Sequence, residues 1–516
     1  MNVIDYIAEN GHATGLDSAL DYVGAPVMSQ GRVRDWCATE YNRTNAWNVN
    51  FSSGNVNTNT KNNGNRVRAV AALSDEIKTS WVVAKNDCLK KKYASLQGDK
   101  WRTNGEWDLW QLVGEVYARE YKPSTSTCFL VNYPKLREIF AANFRDRIVH
   151  HWVCLRLEPL FEAKFKATGD VSFNCRKGYG TLKAVEALRK DIYDLTPKRP
   201  RGPKLCLRTP KRVKPRRKLM VRRHEDDVVC VARFDLRAFF MNIDRAILWR
   251  MLKKLIVEEY YGEDKDILLY LTEIIVFHRP ELDCVRNSPV EMWLRLEPSK
   301  SLFNIKDGKG EPIGNLPSQQ FANFYMSDFD GFAVWLCARY GCRYKRFVDD
   351  FTVVGPKRTI LKTIRPLLTA YLERRLLIRV HRHKFYIQRA EHGVAFIGSV
   401  IRRGRAYLSN RTAGAMLTEV RRANAIARVI AHKGLDLWRA EKLRNAVCAL
   451  NSYIGFCRHH SAFRLLCRAM LNLSDEFWRV AKPGEGLHKI RLKDEYTLTH
   501  YLKYGLQYTQ PQRGAS

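Results

Sequence analysis

Residues 344–355 read YKRFVDDFTVVG: an apolar run of β-type residues, two adjacent aspartates, then a second β-type run. Two extended segments joined so closely can only fold back as a tight hairpin, with Asp349 and Asp350 at its tip. Two neighbouring carboxylates repel, so a cation has to offset them, and a divalent metal suits hard oxygen donors. A second strand-like run, VVCVARFDLRAFFMNID at 228–244, brings Asp235 to its end. If that strand lies beside the hairpin, Asp235, Asp349 and Asp350 converge into a site for two Mg²⁺ ions, with Mn²⁺ as a substitute. Two metals roughly 3.5–4 Å apart activate an attacking hydroxyl and stabilise a leaving pyrophosphate. Taken alone, a DD pair in a turn is more often solvated turn chemistry.

The rest of the chain favours the first alternative. Its 88 Lys and Arg against 53 Asp and Glu leave a net charge of +35, which calls for an anionic partner, nucleic acid first and a membrane surface second. At 516 residues with 45% apolar content, the chain is globular and long enough for two or three domains. It has no run of 18 apolar residues, and its N-terminus shows no basic and apolar leader, so a soluble cytoplasmic protein without a membrane partner is expected. The 13 cysteines form no C-x-x-C pair and read as buried thiols in a reducing compartment.

Composition marks two unusual segments. Residues 42–65 hold ten Asn in 24 positions and read as a solvated loop or short irregular strands. Residues 196–218 hold five Pro and eleven Lys or Arg without an acid, which excludes a regular helix or a central strand. This insert is either a solvated linker or an extended arm on phosphates, in which case Lys211, Arg212, Lys214, Arg216 and Arg217 are its nucleic-acid contacts. Helical patterning is expected over about 73–119, alternating strands and helices over 128–193, and a basic helical module beyond Arg402.

The carboxylates sit among motifs in a fixed order. They run NFRDRIVHHWVCLRLEPLFE (143–162), NCRKGYGTLKAVEALR (174–189), RFDLRAFFMNID, GEPIGNLPSQQFANFYMSDFD (310–330), FVDD, HRHKFYIQ and GVAFIGSVI. In this order they resemble a reverse transcriptase of the group II intron-like superfamily. Within it, R-D-R-x-V-H-H, C-R-K-G-x-G-T, I-G-N-L-x-S-Q and the string LNSYIGFCRHHSAFRL are similar to the diversity-generating retroelement lineage. The resemblance implies an α+β right-hand polymerase, with a ferredoxin-like palm, α/β fingers and a C-terminal helical thumb. Along the chain these become an Asn-rich segment at 1–72, a helical extension at 73–125, fingers and palm at 126–405 with the insert at 196–218, and a thumb at 406–516. Two features depart from the pattern: the insert itself, and Phe347 where many relatives carry Tyr.

The same resemblance assigns roles. Asp235, Asp349 and Asp350 are the catalytic set, and Leu236 joins them at the metal. Arg137 matches the fingers arginine that grips the incoming triphosphate, for which a planar charged fork is suited. Phe240 matches the steric gate that rejects a ribose 2′-OH, its alternative being a core aromatic. Gln319 falls to substrate binding, and Lys384 matches a lysine that balances phosphate charge. Arg176 and Lys177 either hold the template backbone or form a basic surface turn. Ile313 stands where ordinary reverse transcriptases carry Gln; its alkyl group makes no hydrogen bond, and the resemblance links it to error-prone copying opposite template adenine. The alternative is a core residue.

The implied partners are template RNA, its cDNA, deoxynucleoside triphosphates and a small basic accessory variability protein. The Asn-rich residues 46–70 resemble the template-encoded tail of a lectin-type variable domain, so that the reading frame would begin inside the template repeat and 1–72 would play no catalytic part. The expected activity is RNA-directed DNA synthesis yielding adenine-mutagenic cDNA. The alternatives are an antiphage-defence reverse transcriptase and a catalytically inactive RNA-binding protein. A group II maturase is disfavoured, because the residues after the palm leave room for a thumb but show no Cys/His endonuclease module.

Overall fold

The structure, a computed structural model, describes residues 34–40, 45–50, 55–60, 70, 73–90, 101–102, 105–132, 135–197, 228–484, 486 and 488–504. The basic insert positions Lys211, Arg212, Lys214, Arg216 and Arg217 therefore lie outside the described residues. The chain divides into two compact units that interleave along the sequence. One comprises Met1–Asp170, Leu236–Gly331 and Ala370–Arg379; the other comprises Val171–Asp235, Phe332–Thr369 and Val380–Ser516. Both mix helices and strands, as an α+β class requires.

In the first unit the Asn-rich stretch contributes two regular strands. Asn45–Asn50 and Asn55–Thr60 pair antiparallel from Asn45 opposite Thr60 to Asn50 opposite Asn55, and Arg34–Glu40 adds the third strand. The long helix Phe144–Ala167 is the spine of this unit. Asn143 caps it by accepting a hydrogen bond from the Arg145 amide, and Trp152 on its buried face stacks on Trp81 at 4.7 Å. Trp152 also donates from its indole to the Ser80 hydroxyl at 2.8 Å, so the ring is both packed and satisfied. Asp146 on the first turn is buried and accepts from the Tyr121 hydroxyl and the Ser124 amide, each at 2.9 Å. A three-stranded sheet runs in the order Arg137–Ala141, Ser126–Val131, Cys284–Arg286. It buries Cys128 and Phe140 against Met241 and Leu302.

The second unit is built around a four-stranded antiparallel sheet. Helix α1 (Thr181–Leu195) precedes strands β1 (Val229–Asp235), β2 (Arg343–Phe347), β3 (Asp350–Pro356) and β4 (Tyr386–Arg389), which lie side by side in the order β4-β1-β3-β2. The strand runs read from the sequence thus occupy the two central strands and one edge. Helix α1 turns Ala184, Val185, Leu188 and Ile192 onto Val231 and Val354 of the sheet. In the central pair Phe234 stands opposite Phe351, and their rings stack at 4.5 Å with only 10° or less between planes (9°).

A second small sheet follows, β5 (Val394–Phe396), β6 (Ser399–Arg402) and β7 (Arg405–Leu408), before helices α2 (Asn410–Lys433), α3 (Leu437–Arg458) and α4 (Phe463–Leu471). Met416, Val420, Leu443, Leu450 and Phe477 fill the core of this basic module. It is not wholly helical: Ala481–Pro483 and Ile490–Leu492 pair as short strands. Asn451 of α3 holds the second of them, accepting from the Ile490 amide at 2.6 Å and donating to its carbonyl at 2.8 Å. A side-chain amide can replace a neighbouring strand in this way, which period-based reading does not register.

The Phe234–Phe351 stack fixes the separation of the two central strands, so its loss should be felt throughout the second unit. Phe351→Ala is expected to cost about 3–5 kcal/mol, the usual range for removing a fully buried phenyl ring. Chemical denaturation followed by far-UV dichroism reads it directly; a loss below ~1 kcal/mol would show that the stack is not a keystone.

Candidate active site

Side chains alternate between the two faces of a strand, so Phe234 and Phe351 point into the core while Asp235 and Asp350 share the other face. Asp235 ends β1, Asp350 begins β3, and the two are direct partners in the antiparallel ladder. Opposed residues of such a pair have Cβ atoms about 4.5–5.5 Å apart, close enough for two carboxylates to repel strongly. Each is held by its own cation. Lys384 donates its ammonium to Asp235 Oδ2 at 2.8 Å, and Arg233 donates to Asp350 Oδ2 at 2.9 Å. Arg233 sits two residues before Asp235 on the same strand face, diagonal to Asp350, which is why it can reach.

Burial pushes the Asp350 carboxyl above the ordinary aspartate range. The Arg233 guanidinium pulls it back, and the Asp235 charge adds to the rise. Asp350 Oδ1 is buried without a hydrogen-bond partner, an expensive arrangement for an ionised oxygen. Such an orphaned hard oxygen, beside a second carboxylate, fits a divalent cation in donor chemistry. Among the described residues, however, no three His, Cys, Asp or Glu side chains gather around one point. The carboxylates stand as a pair on adjacent strands, each neutralised by a basic side chain, with Asp349 half-buried on the adjoining turn. Leu236 follows Asp235 with its side chain buried, so only its carbonyl could serve a metal.

The turn is two residues long, Val348 and Asp349, between Phe347 and Asp350, which pair across it. Both turn types that close a two-residue hairpin need positive φ at the first central position, normally supplied by Gly or Asn. Here Val348 takes it, at φ +57°, a conformation unfavourable for a β-branched residue. Arg346 secures it from beneath: its guanidinium is fully buried and donates to the Val348 carbonyl at 3.0 Å. The backbone of Arg346 is also tied down, its amide donating to Val171 and its carbonyl accepting from Phe173. The strained tip that positions Asp349 and Asp350 is therefore held by a buried arginine, which the sequence did not single out.

Other expected site residues are distributed as follows. Arg176 is buried, donates to the Ser172 carbonyl at 2.6 Å and stacks on Tyr179 at 3.8 Å. Lys177 beside it is exposed. Arg137, Phe240, Ile313 and Gln319 belong to the first unit, whereas the three aspartates and Lys384 belong to the second. Arg137 and Gln319 are exposed. Phe240 is half-buried, edge-on to Phe239 at 5.6 Å. Ile313 packs against the Cys128, Phe140, Met241 and Leu302 cluster and accepts the Phe140 amide at 2.8 Å through its carbonyl. Its neighbour Gly314 has φ +127°, and a Cβ there would lie 2.5 Å from the Phe140 carbonyl oxygen, so only glycine fits. Among the described residues no helix is long and apolar enough to cross a membrane.

The sequence matches no family profile, and no curated protein matches it. Among solved structures, apo telomerase from Candida tropicalis is similar at 11% identity and a TM-score of 0.38, over 73% of this chain and 68% of that one. Telomerase from Candida albicans in complex with the TWJ fragment of telomeric RNA is similar at 12% identity and a TM-score of 0.36, over 69% of this chain and 59% of that one.

Because the folded protein raises the Asp350 carboxyl above its unfolded value, ionisation of this group opposes folding: its contribution is present at low pH and is lost as pH rises through the folded value. Asp350→Asn, which keeps an acceptor for Arg233, should therefore raise the melting temperature of the metal-free protein at neutral pH. The gain should shrink on acidification towards the aspartate range, where the wild type is itself protonated. Thermal melts of both proteins from neutral pH down to the ordinary aspartate range check this. A variant that melts below wild type at neutral pH would overturn the strain assignment.

Proposed function

We propose that this chain is an RNA-directed DNA polymerase that serves a diversity-generating retroelement, copying a template RNA into adenine-mutagenic cDNA. The observation that carries the polymerase reading is the pairing of Asp235 with Asp350 across two central strands, with one Asp350 oxygen buried and unpartnered and Asp349 on the adjoining turn. The strand order β4-β1-β3-β2, with helices in the chain between β1 and β2 and between β3 and β4, supports a ferredoxin-like palm, with fingers before it and a basic thumb after it.

Asp235, Asp349, Asp350 and the Leu236 carbonyl would hold the Mg²⁺ ions, which when bound supply activation of the primer hydroxyl and stabilisation of the leaving pyrophosphate. The chain's own groups do the rest. The ladder fixes Asp235 and Asp350 in mutual register, and Arg346 braces the turn that carries Asp349. Lys384, more than half exposed, keeps a mobile ammonium at Asp235, able to move towards phosphate oxygens. Arg233 stays on Asp350 and limits its repulsion with Asp235. Arg137 is assigned to the triphosphate, Phe240 to exclusion of the 2′-hydroxyl, and Gln319 to substrate binding. The net charge of +35 supplies affinity for template RNA and cDNA along their phosphates.

The retroelement role rests on Ile313. Its alkyl group is held as shape against Phe140, Met241 and Leu302, and it offers no donor or acceptor from its side chain with which to check a nascent pair. The accessory variability protein and the template-derived origin of residues 1–72 belong to the same reading.

Two measurements test it. Asp349→Ala or Asp350→Ala should abolish Mg²⁺-dependent deoxynucleotide incorporation while RNA binding, which depends on Lys and Arg, stays near wild type. Retention of more than a few per cent of the activity by either purified variant would refute the metal assignment. Ile313→Gln should lower misincorporation opposite template adenine several-fold while cDNA synthesis persists, since ~1.4 kcal/mol of added discrimination is a tenfold change in error ratio. Deep sequencing of cDNA made on one RNA by both proteins reads this. A wild type that copies adenine as accurately as the other bases would exclude the mutagenic role.

A further inference from the structure

Arg176 and Arg346 are both buried in the second unit, at 7% and 0% exposure. Each lies within two residues of a left-handed position that is not glycine: Cys175 at φ +54° and Val348 at φ +57°. Arg346 braces Val348 directly. The part played by Arg176 follows from the short segment before it.

Residues 171–173 run beside β2, the edge strand of the four-stranded sheet. Ser172 pairs with Arg346 as a single parallel bridge, in which the Arg346 amide donates to the Val171 carbonyl at 2.9 Å and the Phe173 amide donates to the Arg346 carbonyl at 3.2 Å. In such a bridge the N–H and C=O of the central residue, Ser172, face away from the partner strand. The Arg176 guanidinium donates to that outward carbonyl at 2.6 Å. A left-handed bend at Cys175 turns the chain back towards it, and the Tyr179 ring covers the guanidinium face at 3.8 Å. Tyr179 is fixed in turn by its amide, which donates to the Arg176 carbonyl, and by the Phe173 ring 5.9 Å away. Contacts therefore run unbroken from Arg176 through Ser172 to the Arg346 backbone, and from the Arg346 guanidinium to the Val348 carbonyl at 3.0 Å.

We propose that Arg176 is a positioning residue for the Asp349 turn: by holding Ser172 it keeps residues 171–173 on β2, and they hold the backbone of the arginine that braces Val348. This rests on the metal role given to Asp349 above. Arg176 need not touch template, primer or nucleotide; its planar fork serves as a set of fixed donors rather than as a charge for phosphate. Without it the segment loosens, Arg346 loses its two backbone anchors, and Val348 relaxes out of its positive φ, carrying Asp349 with it. Glycine adopts positive φ at no steric cost, so Val348→Gly removes the need for the brace.

Three measurements on the full chain test this. Amide hydrogen exchange of the metal-free protein should be ~10-fold faster across residues 343–356 in Arg176→Met, and the double variant with Val348→Gly should return to near wild type. In primer extension on an RNA template, the Mg²⁺ concentration giving half-maximal rate should rise ~5-fold in Arg176→Met and fall back in the double variant. The salt dependence of RNA binding should keep its wild-type slope. A slope reduced by roughly 0.7–0.9 would make Arg176 a phosphate contact and overturn the proposal. So would unchanged exchange in the hairpin, or a double variant no better than Arg176→Met alone. Should Arg176→Met be insoluble, Arg176→Lys replaces it: lysine keeps the charge but not the fork, so wild-type exchange and Mg²⁺ demand in that variant refute the positioning role. Asp349→Ala separates the two readings. If it retains Mg²⁺-dependent synthesis, the metal assignment fails while hairpin exchange still decides the brace; if it is inactive and Arg176→Met changes neither exchange nor Mg²⁺ demand, the brace alone fails.

Discussion

Two aspartates facing each other across adjacent strands are an arrangement that a fold must work to keep. Asp235 and Asp350 repel, and one of them is sunk far enough for burial to raise its carboxyl. The features around them each answer that repulsion. Arg233 and Lys384 supply one positive charge to each carboxylate, and the Phe234–Phe351 stack on the opposite face prevents the strands from parting. The buried Arg346 keeps the hairpin closed although Val348 would relax out of its positive φ. Hydrophobic packing on one face thus stabilises electrostatic strain on the other, a distribution usual where stability is exchanged for chemistry.

Much of this was legible in the sequence, for definite reasons. An apolar β-type run on each side of Asp349-Asp350 leaves few alternatives to a hairpin, and a run ending in Asp235 is apolar enough to be a central strand. Alternation then puts the phenyl rings inward and the carboxylates outward without any tertiary information. What the sequence does not encode locally is which strands become neighbours. The direct register of Asp235 with Asp350 depends on the order β4-β1-β3-β2, and that order is set by helices and cores far along the chain.

The basic residues were the least legible. In a chain of net charge +35 an arginine is most simply read as a phosphate contact, yet Arg346, Arg245 and Arg176 are buried and bonded to backbone carbonyls. A planar fork with five donors can satisfy several carbonyls at a bend, a use that composition cannot separate from nucleic-acid binding. Arg233 could have been found: an arginine two residues before a strand-end aspartate lies on the same face and diagonal to the partner strand. The Asn-rich stretch is the converse case, since regular pairing of Asn45–Asn50 with Asn55–Thr60 comes from backbone hydrogen bonds that any side chain permits.

The same distinction separates individual charges within each unit. In the second, Lys384 is more than half exposed and its contact with Asp235 can give way when another cation or a phosphate competes. In the first, Glu311 and Arg245 are sealed from solvent and cannot be exchanged without opening the core. An exposed ion pair can exchange its partner, whereas a buried guanidinium bonded to a backbone carbonyl, as Arg245 is to Gly310, holds a fixed spacing. Burial, more than residue type, therefore separates the charges that can exchange partners from those fixed within the fold.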